Sequence, residues 1–141
     1  MKKTIIEKDP GVHVNKSDDI SGGGQGTTET VFHRHFEAFG NNDMTELMND
    51  YTEHSEIWTP DGIITGLDAI AVFYANVFPL LPKGHTTFEM KKQVIKDDKV
   101  YIVYSVESEK VSIPFGTDSF VIKEGKIVWQ SLASQIFLKS E

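Results

Sequence analysis

The chain has no cysteine, which excludes disulfides, thiolate catalysis and cysteine-bound zinc. It is also short of positive charge: 14 Lys and Arg stand against 21 Asp and Glu, a net charge of −7. A general binder of nucleic acid or of an anionic membrane needs a basic footprint, so neither partner is expected. Its apolar runs are too short to span a bilayer. The opening Met1-Lys2-Lys3-Thr4-Ile5-Ile6 turns polar at Glu7, without the apolar length or cleavage site of a secretory signal. His, Asp and Glu do not fall at metal-ligand spacing, and neither a metal nor a cofactor is expected. A cytoplasmic protein fits this profile.

Residues 1–26 lack any aromatic residue and end in Ser21-Gly22-Gly23-Gly24-Gln25-Gly26, a flexible tail by composition. One domain is expected over 27–141, long enough to bury a real core. From Thr27 the pattern is helical, with Phe32, His35, Phe36 and Phe39 at i, i+3, i+4 and i+7. Gly40-Asn41-Asn42 ends that helix, and Asp43 with Glu46 reads as the capping box of a short second one. A strand is expected over Tyr51–Trp58, then a turn at Thr59-Pro60-Asp61-Gly62, then a third helix from near Leu67. After Gly84 the period changes to that of strands: Thr86–Lys96, a segment alternating through Val100, Ile102, Tyr104 and Val106, Ile113–Lys123, and Lys126–Leu138. Asp97-Asp98 and Glu124-Gly125 supply hairpin turns. Helices at one end and strands at the other read as α+β.

Two ionisable residues stand out against this pattern. Asp118 is the one charge in Ser112–Ile122, and His35 lies inside the aromatic stripe of the first helix. A charge aimed at an apolar core costs several kcal/mol or shifts its pKa, so two such groups point to a cavity. Spacing alone also fits an Asp118 that caps a turn through Thr117 or Ser119. His35 fits equally a core histidine donating to a carbonyl. Should the two meet, they would titrate as a coupled dyad. Asp61 is a candidate base at the cavity edge, although a Pro-Asp-Gly turn favours aspartate for conformation alone. Phe32, Phe36, Phe39, Trp58, Phe73, Tyr101, Phe120 and Trp129 are the expected core and cavity wall. Among these, Phe32, Phe36, Trp58, Phe73, Tyr101 and Phe120, together with Thr59, are the candidate ligand contacts.

Three stretches carry a resemblance: Phe39-Gly40-Asn41-Asn42-Asp43, Trp58-Thr59-Pro60-Asp61-Gly62, and Gly66-Leu67-Asp68-Ala69-Ile70 leading into Phe73-Tyr74-Ala75-Asn76. With the element order, they resemble the nuclear-transport-factor-2-like (NTF2-like) superfamily, home of ketosteroid isomerases and SnoaL-type polyketide cyclases. The resemblance covers roughly Thr27 to Leu138. It implies a cystatin-like cone, with a curved antiparallel sheet wrapped around a long N-terminal helix and two further helices. A homodimer through the outer sheet face is also implied, in line with the apolar residues on that face.

The isomerase machinery carries over in part. Asp118 matches the family's protonated aspartate on a late strand, His35 stands where it has a tyrosine, and Thr59 stands where it has a carboxylate base before proline. In SnoaL-type cyclases an aspartate in this region abstracts a proton next to a carbonyl, a role the resemblance implies for Asp118. Two functions follow. One is an isomerase or cyclase that moves a proton on a hydrophobic carbonyl compound. The other is a non-catalytic hydrophobic-ligand-binding or dimeric interaction domain that has lost the base.

Overall fold

The first helix is fixed by its own residues at both ends. Thr27 caps it, its Oγ1 accepting the Thr30 amide at 3.1 Å, and α1 spans Thr28–Gly40. Val31, Phe32, His35, Phe36 and Ala38 form its buried side, as the 3.6-residue period requires. Asn42 leaves the helix with φ at 54°. Its side chain accepts the Lys83 amide at 2.7 Å and donates to the Leu81 carbonyl at 3.2 Å. The structure, a computed structural model, describes residues 27–140; the tail expected over 1–26, with its glycine run, lies outside them.

Asp43 caps α2 (Met44–Met48) by accepting the Glu46 amide at 3.1 Å. The other arm of the expected capping box does not form, because the Asp43 amide donates to the Ala38 carbonyl. The strand expected over Tyr51–Trp58 is shorter than that: β1 is Glu56–Thr59. Thr52 and Ser55 bond each other's backbone and side chains, and the Thr52 hydroxyl takes the His54 amide. Such local side-chain bonds compete with strand pairing and hold 52–55 as a turn. Beyond Thr59 the chain folds straight back as β2 (Gly62–Thr65), a strand not expected from the sequence. Then come α3 (Leu67–Val77), a 3-10 turn over Phe78–Leu80, and the four long strands β3 (Thr86–Lys96), β4 (Lys99–Ser108), β5 (Val111–Lys123) and β6 (Lys126–Leu138).

The six strands form one sheet in the order β2-β1-β6-β5-β4-β3. The expected antiparallel sheet is in fact mixed, since β1 pairs parallel with β6. The three reversals from β3 to β6 leave the last strand running the same way as β1. Glu124 and Gly125 both take positive φ, 53° and 80°, the two-residue turn whose twist matches the flanking strands. Register shifts interrupt β3 between Met90 and Lys92, β4 between Tyr104 and Val106, and β5 between Ser112 and Phe115. A further shift between β5 and β6 leaves Val128 as an extra residue on β6. Bulges of this kind bend strands and sharpen their twist, so the sheet curls.

Helix α1 lies on the inner face of that curl. Its start is pinned to the β3–β4 hairpin by the Thr28 hydroxyl, which donates to the Asp97 carbonyl at 2.7 Å. Phe32 stacks on Phe36 at 5.6 Å and meets Phe120 at 5.3 Å. Phe32, Ile57, Ile70 and Ile127 are fully buried, each stabilising the fold by about 1.5–3 kcal/mol. This core fills one end of the curl and leaves the other open.

Candidate functional site

The open end holds a cavity of about 650 Å³, within the usual range for small-molecule sites. Phe36 and Phe39 of α1, Phe73 and Val77 of α3, and Phe88, Ile102, Phe120 and Leu132 of the sheet give it apolar walls. Asp118 stands among them. The pleat turns it inward, with Ile102 of β4 and Leu132 of β6 opposite it on either side. It is half-buried because the surface it keeps faces the cavity.

Each oxygen of Asp118 accepts one donor. Tyr104 donates its hydroxyl to Oδ1 at 2.8 Å, and Gln130 donates Nε2 to Oδ2 at 3.3 Å. Burial pushes the carboxyl up to about 7, against these two hydrogen bonds, which pull it down. Burial also pushes the Tyr104 hydroxyl well above the usual tyrosine range, and the neighbouring Asp118 pushes it further. Tyr104 therefore stays a donor at any ordinary pH.

Gln130 is itself held. Tyr51 donates its hydroxyl to Gln130 Oε1 at 2.6 Å, which fixes which end of the amide faces Asp118. The Tyr51 proton being used there, Tyr74 is the donor in the 2.7 Å contact between the two hydroxyls. Gln130 Nε2 in turn donates to Tyr74 at 3.4 Å, closing a ring of three. Such rings polarise their members cooperatively. Burial raises both tyrosine pKa values, so neither ionises near neutrality.

A second polar cluster lies at the α1 side. The carboxylate of Asp50, fully buried, accepts Arg34 Nη2 at 3.1 Å and His35 Nδ1 at 3.2 Å. His35 is 3% exposed and packs edge-on against Phe120 and Tyr51. It lines the cavity as well.

Comparison with known proteins fits this geometry. The model of the SnoaL-like domain matches residues 32–130, well over half of the chain. The chain belongs to the SnoaL-like family. A candidate polyketide cyclase from Sinorhizobium meliloti is similar at 19% identity and a TM-score of 0.61, covering 73% of this chain and 93% of its own. A candidate ketosteroid isomerase from Kribbella flavida is similar at 9% identity and a TM-score of 0.63, covering 81% and 82%. An NTF2-like protein of unknown function from Burkholderia xenovorans is similar at 13% identity and a TM-score of 0.64, covering 81% and 87%. At these identities they show a shared NTF2-like fold. Among curated proteins no sequence match is found.

In this SnoaL-like chain Asp118, His35, Thr59, Asp61, Phe36, Phe73 and Phe120 all line one cavity. Asp118 and His35 do not form the dyad considered above: Asp118 bonds Tyr104 and Gln130, and His35 bonds Asp50. Thr59 and Asp61 sit at the mouth. The Thr59 hydroxyl donates to the Gly62 carbonyl and accepts the Asp61 amide, both at 3.0 Å. Gly62 has φ of 139°, a conformation that favours glycine, and Asp61 is exposed.

Three expected contacts fall outside the cavity. Ile57 takes the inward position of β1, so Trp58 turns outward, 46% exposed against Trp129. Tyr101 alternates with inward Val100 and Ile102 and is 42% exposed on the same outer face. Phe32 is sealed in the core, one helical turn below Phe36.

Asp50, Tyr51, Tyr74, Tyr104 and Gln130 were not among the expected site residues. A signal for Tyr104 was present: it shares strand parity with Val100 and Ile102, and a glycine interrupts the neighbouring strand. A β-carbon at Gly116 would stand 2.5 Å from Tyr104 Cε1, so only glycine lets the phenol lie across β5 toward Asp118. Among the described residues no helix is long and apolar enough to cross a membrane, and no three His, Asp or Glu converge as metal ligands.

Proposed function

We propose that the cavity binds an apolar carbonyl compound and that Asp118 moves a proton on the carbon beside the carbonyl, as an isomerase or cyclase does. One observation carries this reading: a carboxyl with its pKa near 7, held by two donors in a cavity whose walls are mainly apolar. A general base works best when its pKa lies near the working pH, and at pH 7 about half of such a group is ionised. Ionised Asp118 takes the proton, and the C–H electron pair becomes an enolate. In an isomerisation the carboxyl returns the proton at the far end of the conjugated system. In a ring closure the enolate carbon bonds a second carbonyl carbon, whose oxygen receives the proton. Once Asp118 is neutral, it holds the Tyr104 hydroxyl less strongly, leaving that donor available to the enolate oxygen.

The test is α-proton exchange of 1-tetralone in D2O, followed by NMR. The protein is expected to accelerate exchange, and Asp118→Asn to lower the rate by about 10² or more. Exchange no faster than buffer, or exchange that survives the substitution, overturns the reading. The non-catalytic alternative rests on Thr59, whose hydroxyl is taken up in its own turn. Saturable binding of 1-tetralone without accelerated exchange would establish it.

A homodimer through the outer sheet face belongs to the same proposal. Trp58, Val94 and Tyr101 are exposed there, beside Trp129, and apolar surface of this kind marks contact sites. Light scattering after size exclusion decides it, and a monomer at micromolar concentration would refute it. The cytoplasmic location rests on composition, with no cysteine in the chain.

A further inference from the structure

Nearly every hydrogen bond that the cavity wall has to give is already committed. Tyr104 donates to Asp118, Tyr74 to Tyr51, and Gln130 to Asp118 and Tyr74. Thr59 at the mouth is occupied by its turn. Among the described residues, two lining groups keep a polar atom with no protein partner and no bulk solvent exposure of the kind Asp61 has. One is the hydroxyl of Ser134, partly exposed on the stretch of β6 that leads to exposed Ile136. The other is Nε2 of His35, on a side chain 4% exposed. A buried polar atom without a partner costs roughly 1–3 kcal/mol, and a cavity-lining one is relieved by whatever fills the cavity.

The chemistry of that atom follows from its neighbour. A carboxylate only accepts, so the hydrogen shared with Asp50 belongs to His35 Nδ1. Arg34 already balances the Asp50 charge. In the neutral ring Nε2 is then left with its lone pair, an acceptor in an apolar setting. It sits at a definite place relative to Asp118. His35 packs against Phe120 at 5.6 Å, and Phe120 is two residues on from Asp118 along the same face of β5, about 7 Å at the strand rise.

We infer that His35, held in its Nδ1–H form by Asp50, is a second ligand-binding centre whose Nε2 accepts a hydroxyl of the substrate. The substrate class narrows accordingly, to apolar ring ketones that carry a hydroxyl at the end away from the reacting carbonyl. Asp50 is the positioning residue. The inference rests on the reading of the cavity as a carbonyl-compound site, and it separates from that reading experimentally.

The probes are 1-tetralone and 6-hydroxy-1-tetralone, whose carbonyl and hydroxyl lie at opposite ends of two fused rings. By calorimetry the wild-type protein is expected to bind the hydroxylated probe about tenfold more tightly. His35→Asn keeps an N–H for Asp50 but has no Nε2. It should bind both probes alike, the roughly tenfold preference for the hydroxylated one being lost. Nitrogen-15 NMR of the wild-type ring should show the Nδ1–H form, with the Nε2 resonance moving on addition of the hydroxylated probe alone. Equal affinities in the wild type, a preference that survives His35→Asn, an Nε2–H tautomer, or no saturable binding of the hydroxylated probe each overturns the inference. The nitrogen spectrum needs no variant, so it decides even if His35→Asn fails to fold. In Asp118→Asn the hydroxyl preference should persist while α-proton exchange is lost. A hydroxyl preference in a wild type that catalyses no exchange would sink the proton-transfer reading and leave the His35 centre standing.

Discussion

The inner wall of the cavity and its mouth are built from similar parts and behave differently. Each carries one aspartate, Asp118 inside and Asp61 outside, with hydroxyl groups nearby. At the mouth the Thr59 hydroxyl closes a four-residue turn, and Asp61 is exposed. At the wall the hydroxyls of Tyr51, Tyr74 and Tyr104 act through Gln130 or directly on the carboxyl, and burial lifts that carboxyl to about 7. What a carboxyl can do is set by its surroundings, and the same residue type is solvated in one place and buried against two hydrogen-bond donors in the other.

The sharpest way to break this contrast is to neutralise each aspartate in turn. Asp118→Asn should lower α-proton exchange of 1-tetralone by about 10² or more, whereas Asp61→Asn should leave it within about twofold. A large loss at Asp61 would move the chemistry to the mouth. Next in size is Gly116→Ala. Its new methyl collides with the Tyr104 ring, so urea unfolding should show a loss of about 1–3 kcal/mol. Unchanged stability would mean that the phenol has somewhere else to go.

Acid titration sharpens the contrast further. The folded carboxyl of Asp118 holds its proton to about pH 7, against 3.8 for the ordinary group. The protonated form therefore favours the folded state. That stabilisation is complete below about pH 4 and is lost as pH rises through about 7, an amount of roughly 4 kcal/mol for a shift of this size. The stability difference between wild type and Asp118→Asn should follow this curve, while that between wild type and Asp61→Asn should not; a flat wild-type difference would place Asp118 in solvent. The smallest effect belongs to Thr59→Val, which removes the turn's two hydroxyl bonds. It should cost about 1 kcal/mol in unfolding and nothing in exchange. An effect on exchange would give the mouth a share in the chemistry.

Much of this is legible in the sequence. The stripe of α1, the two hairpin turns and the long strands follow from period and turn chemistry, which are local properties. Asp118 was legible because a lone charge in an apolar strand must be paid for by an unusual environment. The partner of His35 was not. Asp50 follows Asn49 at the end of a five-residue helix and reads as surface, and its partners are distant in sequence: Arg34 and His35 of α1 on its carboxylate and the Ile127 amide of β6 on its carbonyl. Tyr51 and Gln130 are 79 residues apart, beyond the reach of any local pattern. Trp58 and Tyr101 were assigned by aromatic character, whereas strand parity sends both to the outer face. Short β2 was missed because four residues with an exposed glycine and isoleucine carry little alternation.

The extra residue on β6 decides what kind of interior this protein has. Counted back from the Glu124-Gly125 turn by plain alternation, Trp129 would stand opposite Phe120 and Gln130 opposite Ser119. The indole would then fill the cavity, and the amide would point to the outside. Val128 advances the strand by half a period, and the observed pairs are Phe120 with Gln130 and Val121 with Trp129. One inserted position thus exchanges a plug for a hydrogen-bond donor, and a chain without Val128 would present a solid core where this one has a chamber.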